Sequence, residues 1–176
     1  VSEINAAGGV MGRPVEVVLE DGASAPKTFN EKASKLVTRD RIETVFGCHT
    51  SASRKAVLPV FERRNAMLFY QTHYEGFGCS KNVVYSGAVA NQQLGNYIPW
   101  IVQKLGKKKF FIVGSNYVYP REMSKVSKKL IEASGATWVA DEYLELGHSE
   151  WASMVRKIKE SGADVSVMLL GASGTG

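Results

Sequence analysis

Hydroxyl and aromatic side chains gather at three places in this 176-residue chain: His49, Thr50 and Ser51; Tyr70, Thr72 and Tyr74; and Ser115, Tyr117 and Tyr119. Each group follows a short apolar run, TVFG, AMLFY and KFFIVG respectively. Hydroxyls can both give and accept hydrogen bonds, and rings cover the flat faces of a guest, so such a set suits a small, polar, uncharged ligand. A plainer reading stands beside it. Ser51 or Ser53 would only cap the helix that follows, and Tyr70 and Tyr117 would pack with their tips in water.

Catalytic patterns are missing. No GxSxG elbow, P-loop or GxGxxG fingerprint occurs, and His73 and His148 stand alone. Cys48 and His49 are neighbours in an extended stretch and so point to opposite faces, which disfavours a thiolate–imidazole pair. The two cysteines, Cys48 and Cys79, permit one disulfide without requiring it. With no CxxC or HxxxH spacing, neither a metal nor another cofactor is expected. The net charge of +5 comes from 22 Lys and Arg against 17 Asp and Glu. Lys104 and Lys107 to Lys109 close one helix pattern, and Lys125, Lys128 and Lys129 lie on the polar face of another, so both clusters read as solvated surface rather than a nucleic-acid site. No apolar run approaches the roughly 20 residues of a membrane helix.

The elements that must position these groups alternate. An opening helix (VSEINAAGG) precedes a strand over 14–19 (PVEVVL). Pro26 starts a helix with Phe29, Ala33, Leu36 and Val37 on one stripe. A strand over 44–47 leads into a helix with Ala56, Val57, Val60 and Phe61 on its inner side, which Pro59 should kink or end. Short strands follow at 66–70 and 82–85. Next comes a helix with Leu94, Tyr97, Ile98 and Ile101, its start obscured by Pro99. The strand over 109–114 is followed by a helix carrying Met123, Val126, Leu130 and Ile131, and then by a strand over 137–144. A cap-like His148-Ser149-Glu150 opens a helix with Trp151, Met154, Val155 and Ile158, and the last strand covers 164–170. Strands alternating with helices imply an α/β protein with parallel sheets. Its two lobes would cover 1–90 and 91–176, with a hinge near 87–91. In such sheets ligands bind where strand C-termini meet helix N-termini, and all three hydroxyl groups lie there.

Longer stretches carry a resemblance. GCHTSASRKAVLPVFERR, LFYQTHYEGF, CSKNVVYSGA and VGSNYVYPRE resemble the type I periplasmic binding proteins. Within that family they are most similar to the urea and short-chain amide receptors of ABC importers and to the amide sensor of aliphatic-amidase operons. EDGASAP and YLELGHSEW extend the similarity to both ends. The resemblance implies two Rossmann-like lobes closing on urea or a short aliphatic amide. The protein would be periplasmic, or lipid-anchored outside the cell, and would serve an ABC permease; a cytoplasmic amide-sensing regulator is the alternative. It also implies that a first strand and an export signal precede Val1 and that the rest of lobe two follows Gly176. His49, Ser51, Tyr70 and Thr72 would meet the ligand from lobe one, and Tyr117 and Tyr119 from lobe two. His49 departs from the pattern, which has Tyr or Trp there, and His73 falls where Pro or Gln is expected, so the choice of amide stays open.

Overall fold

The computed structural model describes residues 1–148 and 151–171. Two three-stranded parallel sheets organise it. The first, ordered β1-β2-β3, contains Thr44–Phe46, Met67–Tyr70 and Val83–Tyr85. In the second, β4 (Lys109–Ser115) lies between β5 (Thr137–Leu144) and β6 (Val165–Leu169). Helices α1 (Ser2–Ala6), α2 (Pro26–Ser34) and α3 (Ser51–Arg64) belong to the first half. The second has α4 (Ala90–Leu94), α5 (Tyr97–Leu105), α6 (Val118–Ala133) and α7 (Ala152–Glu160). The α/β class with parallel sheets is as the alternation predicts.

Side-chain alternation explains why β4 is the most deeply buried strand among the described residues. Phe110 and Ile112 face Ile98, Met123 and Ile131 on one side, whereas Phe111 and Val113 face Met154 on the other. A strand covered on both faces needs an unbroken apolar run, and KFFIV supplies it. In the first sheet Leu68 and Tyr70 face Val57, Val60 and Phe61 of α3. On the opposite face Phe46 stacks on Phe69 with ring centroids 4.7 Å apart, and Phe46 stays 66% exposed. That exposure leaves one face of this sheet largely open.

Residues 14–19 are not a strand. Alternation sets which way side chains point, but a strand also needs a ladder partner, and among the described residues β1 pairs only with β2. Instead, Asn5 bonds both the N–H and the carbonyl of Val15, at 2.7 and 2.9 Å. An apolar groove of about 520 Å³, lined by Val17, Phe29, Leu36 and Phe46 among others, lies along the segment. Pro59 does not end α3, which continues to Arg64. The carbonyl it deprives of a donor is that of Lys55, an exposed residue where water can serve. The helix expected around Leu94 to Ile101 is two helices, and Pro99 falls in the first turn of α5, where no intrahelical donor is needed. α2 runs on into a π-helical turn, Lys35–Arg39. In α7 Met154 is buried while Val155 is 45% exposed, so that stripe is narrower than expected. Ser149 and Glu150 of the cap-like start lie outside the described residues.

Candidate ligand-binding cleft

The loop from β1 into α3 is built around a cap. Thr50 is extended, and its Oγ1 accepts the N–H of Ser53 at 3.0 Å, while Ser53 Oγ donates to the Thr50 carbonyl at 2.8 Å. Neither Ser51 nor Ser53 is the cap, since Thr50 holds that place. The first N–H groups of α3, on Ser51 and Ala52, have no intrahelical acceptor and face the positive end of the helix dipole.

Tyr70 Oη donates to the His49 carbonyl at 2.8 Å, and Thr72 Oγ1 donates to the same oxygen at 3.0 Å. Two hydroxyls expected to address a ligand are therefore committed to the loop that carries His49. Their protons fix its shape. Ser51 is also engaged: its Oγ donates to Glu75 Oε2 at 2.5 Å and accepts from Arg54 Nη1 at 3.2 Å, and Arg54 Nη2 donates to Glu75 Oε1 at 2.7 Å. Both charged side chains are buried, and the guanidinium carbon lies 4.9 Å from the ring centres of Tyr70 and Tyr74 and 5.6 Å from that of Tyr85. Burial works to raise the Glu75 carboxyl, but bonds from Ser51, the backbone and Arg54 outweigh it and hold Glu75 below its ordinary value.

From the second half, β4 ends at Ser115, whose Oγ accepts the N–H of Gly171 at 3.0 Å. The chain then turns into α6 through Tyr117. Tyr117 and Tyr119 lie 6.4 Å apart with their rings tilted by 30°, and Tyr119 meets His73 edge-on at 5.1 Å. Tyr119 Oη donates to Gln93 Oε1 at 2.8 Å. Burial pushes the Tyr119 phenol up to about 12 and also raises that of Tyr117, so both stay protonated donors at neutral pH.

These elements enclose a cavity of about 240 Å³ lined by His49, Thr50, Ser51 and Tyr70 from the first half and by Tyr117 and Tyr119 from the second. His73, Leu170 and Gly171 complete its wall. Six of the nine residues grouped from the sequence thus share one cavity. Of the other three, Thr72 props the His49 carbonyl, Ser115 accepts the N–H of Gly171, and Tyr74 packs in the core beside Arg54. No Asp, Glu, Lys or Arg lines the cavity among the described residues. Arg54 and Glu75 escaped the sequence reading, although a signal existed: Ser51, Arg54, Val57 and Phe61 follow helical spacing, which puts a cation on the core face of α3. Glu75, Gln93 and Leu170 gave no comparable sign.

Cys48 lies beside this loop, and both thiols are free. Burial pushes the Cys48 thiol up to about 11, whereas Cys79 is exposed. At pH 8 a chromogenic disulfide reagent is expected to titrate Cys79 at once and Cys48 only after denaturation. Two fast thiols would show that the β1–α3 loop opens readily.

Two α/β halves thus bring polar strand ends to one shared cavity, an arrangement suited to binding a small solute. Residues 1–174 match the family described as periplasmic binding protein domain, and the chain belongs to that family, one of binding proteins. It is 27% identical over 174 residues to an amino acid binding protein of Pseudomonas aeruginosa, covering 93% of this chain and 44% of the relative. It is 26% identical over 168 residues to the Leu/Ile/Val-binding protein BraC3 of Rhizobium johnstonii, covering 94% and 46%. Among solved structures, a solute-binding protein of an R. palustris ABC transporter in complex with 4-hydroxybenzoate superposes with a TM-score of 0.85 at 22% identity, covering 96% of this chain and 46% of that one. The branched-chain amino acid receptor LivJ of Streptococcus pneumoniae, in complex with isoleucine, gives 0.79 at 25% identity, covering 95% and 48%. The chain therefore spans about half the length of these relatives. None of the four is described as binding an amide or urea.

Proposed function

We propose that the chain is part of the solute receptor of an ABC importer, working in the periplasm, and that its ligand is urea or a short aliphatic amide. The lobes are residues 1–90 and 91–176, swinging about 87–91. The observation that carries the ligand class is the lining of the cleft: hydroxyls, rings and two imidazoles, with no carboxylate and no Lys or Arg among the described residues. A desolvated α-ammonium group without an anionic partner costs far more than a neutral amide, whose carbonyl and N–H groups hydroxyls and backbone can satisfy. The ligand docks against the α3 N-terminus, and closure brings Tyr117 and Tyr119 over it. Closure is favoured by whatever contacts the open form lacks.

The names of the relatives favour a second reading, a carboxylate ligand such as a branched-chain amino acid or an aromatic acid. The open N–H groups of α3 would suit such an anion. Titration calorimetry of the full-length protein with urea, acetamide, leucine and 4-hydroxybenzoate separates the two. Heat with urea or acetamide alone is the expected result; binding of leucine or 4-hydroxybenzoate without either amide would overturn the neutral-ligand reading. Tyr117→Phe is expected to weaken amide binding by about 1 kcal/mol, because its hydroxyl makes no hydrogen bond within the described residues and is available to the ligand.

A further inference from the structure

The proton of Ser51 is spoken for. Its Oγ stands between a carboxylate that can only accept, Glu75 at 2.5 Å, and a guanidinium that can only donate, Arg54 at 3.2 Å. A serine hydroxyl has one proton and two acceptor sites. The proton goes to Glu75 and one acceptor site to Arg54, which leaves a single lone pair for the cavity that Ser51 lines. Glu75 is in turn held by Arg54 Nη2 at 2.7 Å, and both side chains are buried, so water does not compete for them. Three tyrosine rings around the guanidinium, those of Tyr70, Tyr74 and Tyr85, keep it from turning away.

We propose that the buried Glu75–Arg54 pair sets the direction of the hydrogen bond that Ser51 offers in the cleft, making it an acceptor only, and so selects a ligand with an N–H donor against the matching carboxylate. This rests on the neutral-ligand reading above and sharpens it. An amide or urea satisfies both sides of the site: its carbonyl oxygen takes the open N–H groups at the start of α3, and its NH₂ donates to Ser51 Oγ. A carboxylate of the same shape could use the N–H groups equally well, but its second oxygen would meet the Ser51 lone pair with no proton between them. Acetamide and acetate have nearly the same size and outline, so they isolate this one difference. Glu75 and Arg54 are positioning residues, because they act on the ligand only through Ser51.

The test is the ratio of acetamide to acetate affinity, measured by calorimetry near pH 7 on the full-length protein and on Glu75→Gln and Ser51→Ala. The wild type is expected to prefer acetamide by about tenfold or more, the range a reversed hydrogen bond in a desolvated site commands. In Glu75→Gln the new amide can donate to Ser51 Oγ, which frees the serine proton for the cleft. The preference then falls about tenfold, with acetate gaining or holding while acetamide loses. Ser51→Ala removes the acceptor and collapses the preference as well, and it keeps the test decisive if Glu75→Gln does not fold. A merely structural role for Glu75 would weaken both ligands alike and leave the ratio unmoved, which would overturn the inference. An unchanged ratio in Ser51→Ala, or a wild type that binds acetamide but prefers acetate, would do the same. A wild type that binds neither urea nor acetamide would overturn the proposed ligand class itself, and the inference with it.

Discussion

Arg54→Met is expected to cost about 3–5 kcal/mol of stability, the usual penalty for removing one partner of a buried ion pair. Glu75 would remain 2% exposed with its main cationic partner gone, since Lys55 reaches it only at 3.9 Å and from a half-exposed position. The pair itself contributes less than that figure, because most of the loss is the stranded carboxylate. Arg54→Met combined with Glu75→Gln should therefore recover a good part of the deficit. Acid provides an independent check. The folded-state value of Glu75 is held below its ordinary 4.5, so its contribution is fully present above that pH and is lost as pH falls through the folded value. In Arg54→Met the sign reverses: burial without the guanidinium raises the Glu75 value, and the penalty is relieved as the carboxyl takes up a proton. The gap between variant and wild type should thus narrow on mild acidification. Guanidinium chloride unfolding at several pH values measures it, urea being unsuitable as denaturant for a protein proposed to bind it. A gap independent of pH would show that Glu75 is not charged in the fold.

Gly87→Ala should damage both stability and binding. A Cβ at this position would stand 2.0 Å from the carbonyl oxygen of Thr72 and 2.5 Å from the backbone nitrogen of His73. Both obstacles are main chain, so relief requires moving the loop itself. Overpacking of this kind costs about 1–3 kcal/mol. The displaced segment carries Thr72, which props the His49 carbonyl, and His73, which meets Tyr119 across the cleft. Amide affinity should drop further than global stability predicts. Gly135→Ala is the control: its Cβ would meet nothing within 4 Å, although its φ of +74° adds a modest strain far from the cleft. A Gly87→Ala protein with wild-type affinity would detach the 72–73 loop from the binding site.

Much of this arrangement was legible in the sequence, for a reason visible in particular residues. KFFIVG and AMLFY announce buried parallel strands, and the polar residues that follow each one fall at strand C-termini by topology alone. Six of the nine grouped residues consequently meet in one cavity. What each hydroxyl does was not legible, because a hydrogen-bond partner depends on side chains distant along the chain. Tyr70 and Thr72 spend their protons on the carbonyl of His49, more than twenty residues away, and Ser51 spends its own on Glu75. Capping passed to Thr50 for a local reason that spacing does not resolve: among three consecutive hydroxyl or imidazole residues, backbone geometry at the turn decides which one precedes the helix. The failure at 14–19 is of another kind. Its alternation is real, but pairing is a property of two segments, and among the described residues β1 pairs with β2 on one side only.

A small neutral solute is expected to lie where the strand ends of the two sheets converge. Backbone amide chemical shifts of the full-length protein, followed while acetamide or urea is added, locate the ligand without labelling it. The largest changes should fall on His49, Thr50 and Ser51 from one half and on Tyr117 and Tyr119 from the other, saturating together. Changes confined to the apolar groove around Val17 and Phe46, or to one half alone, would contradict it.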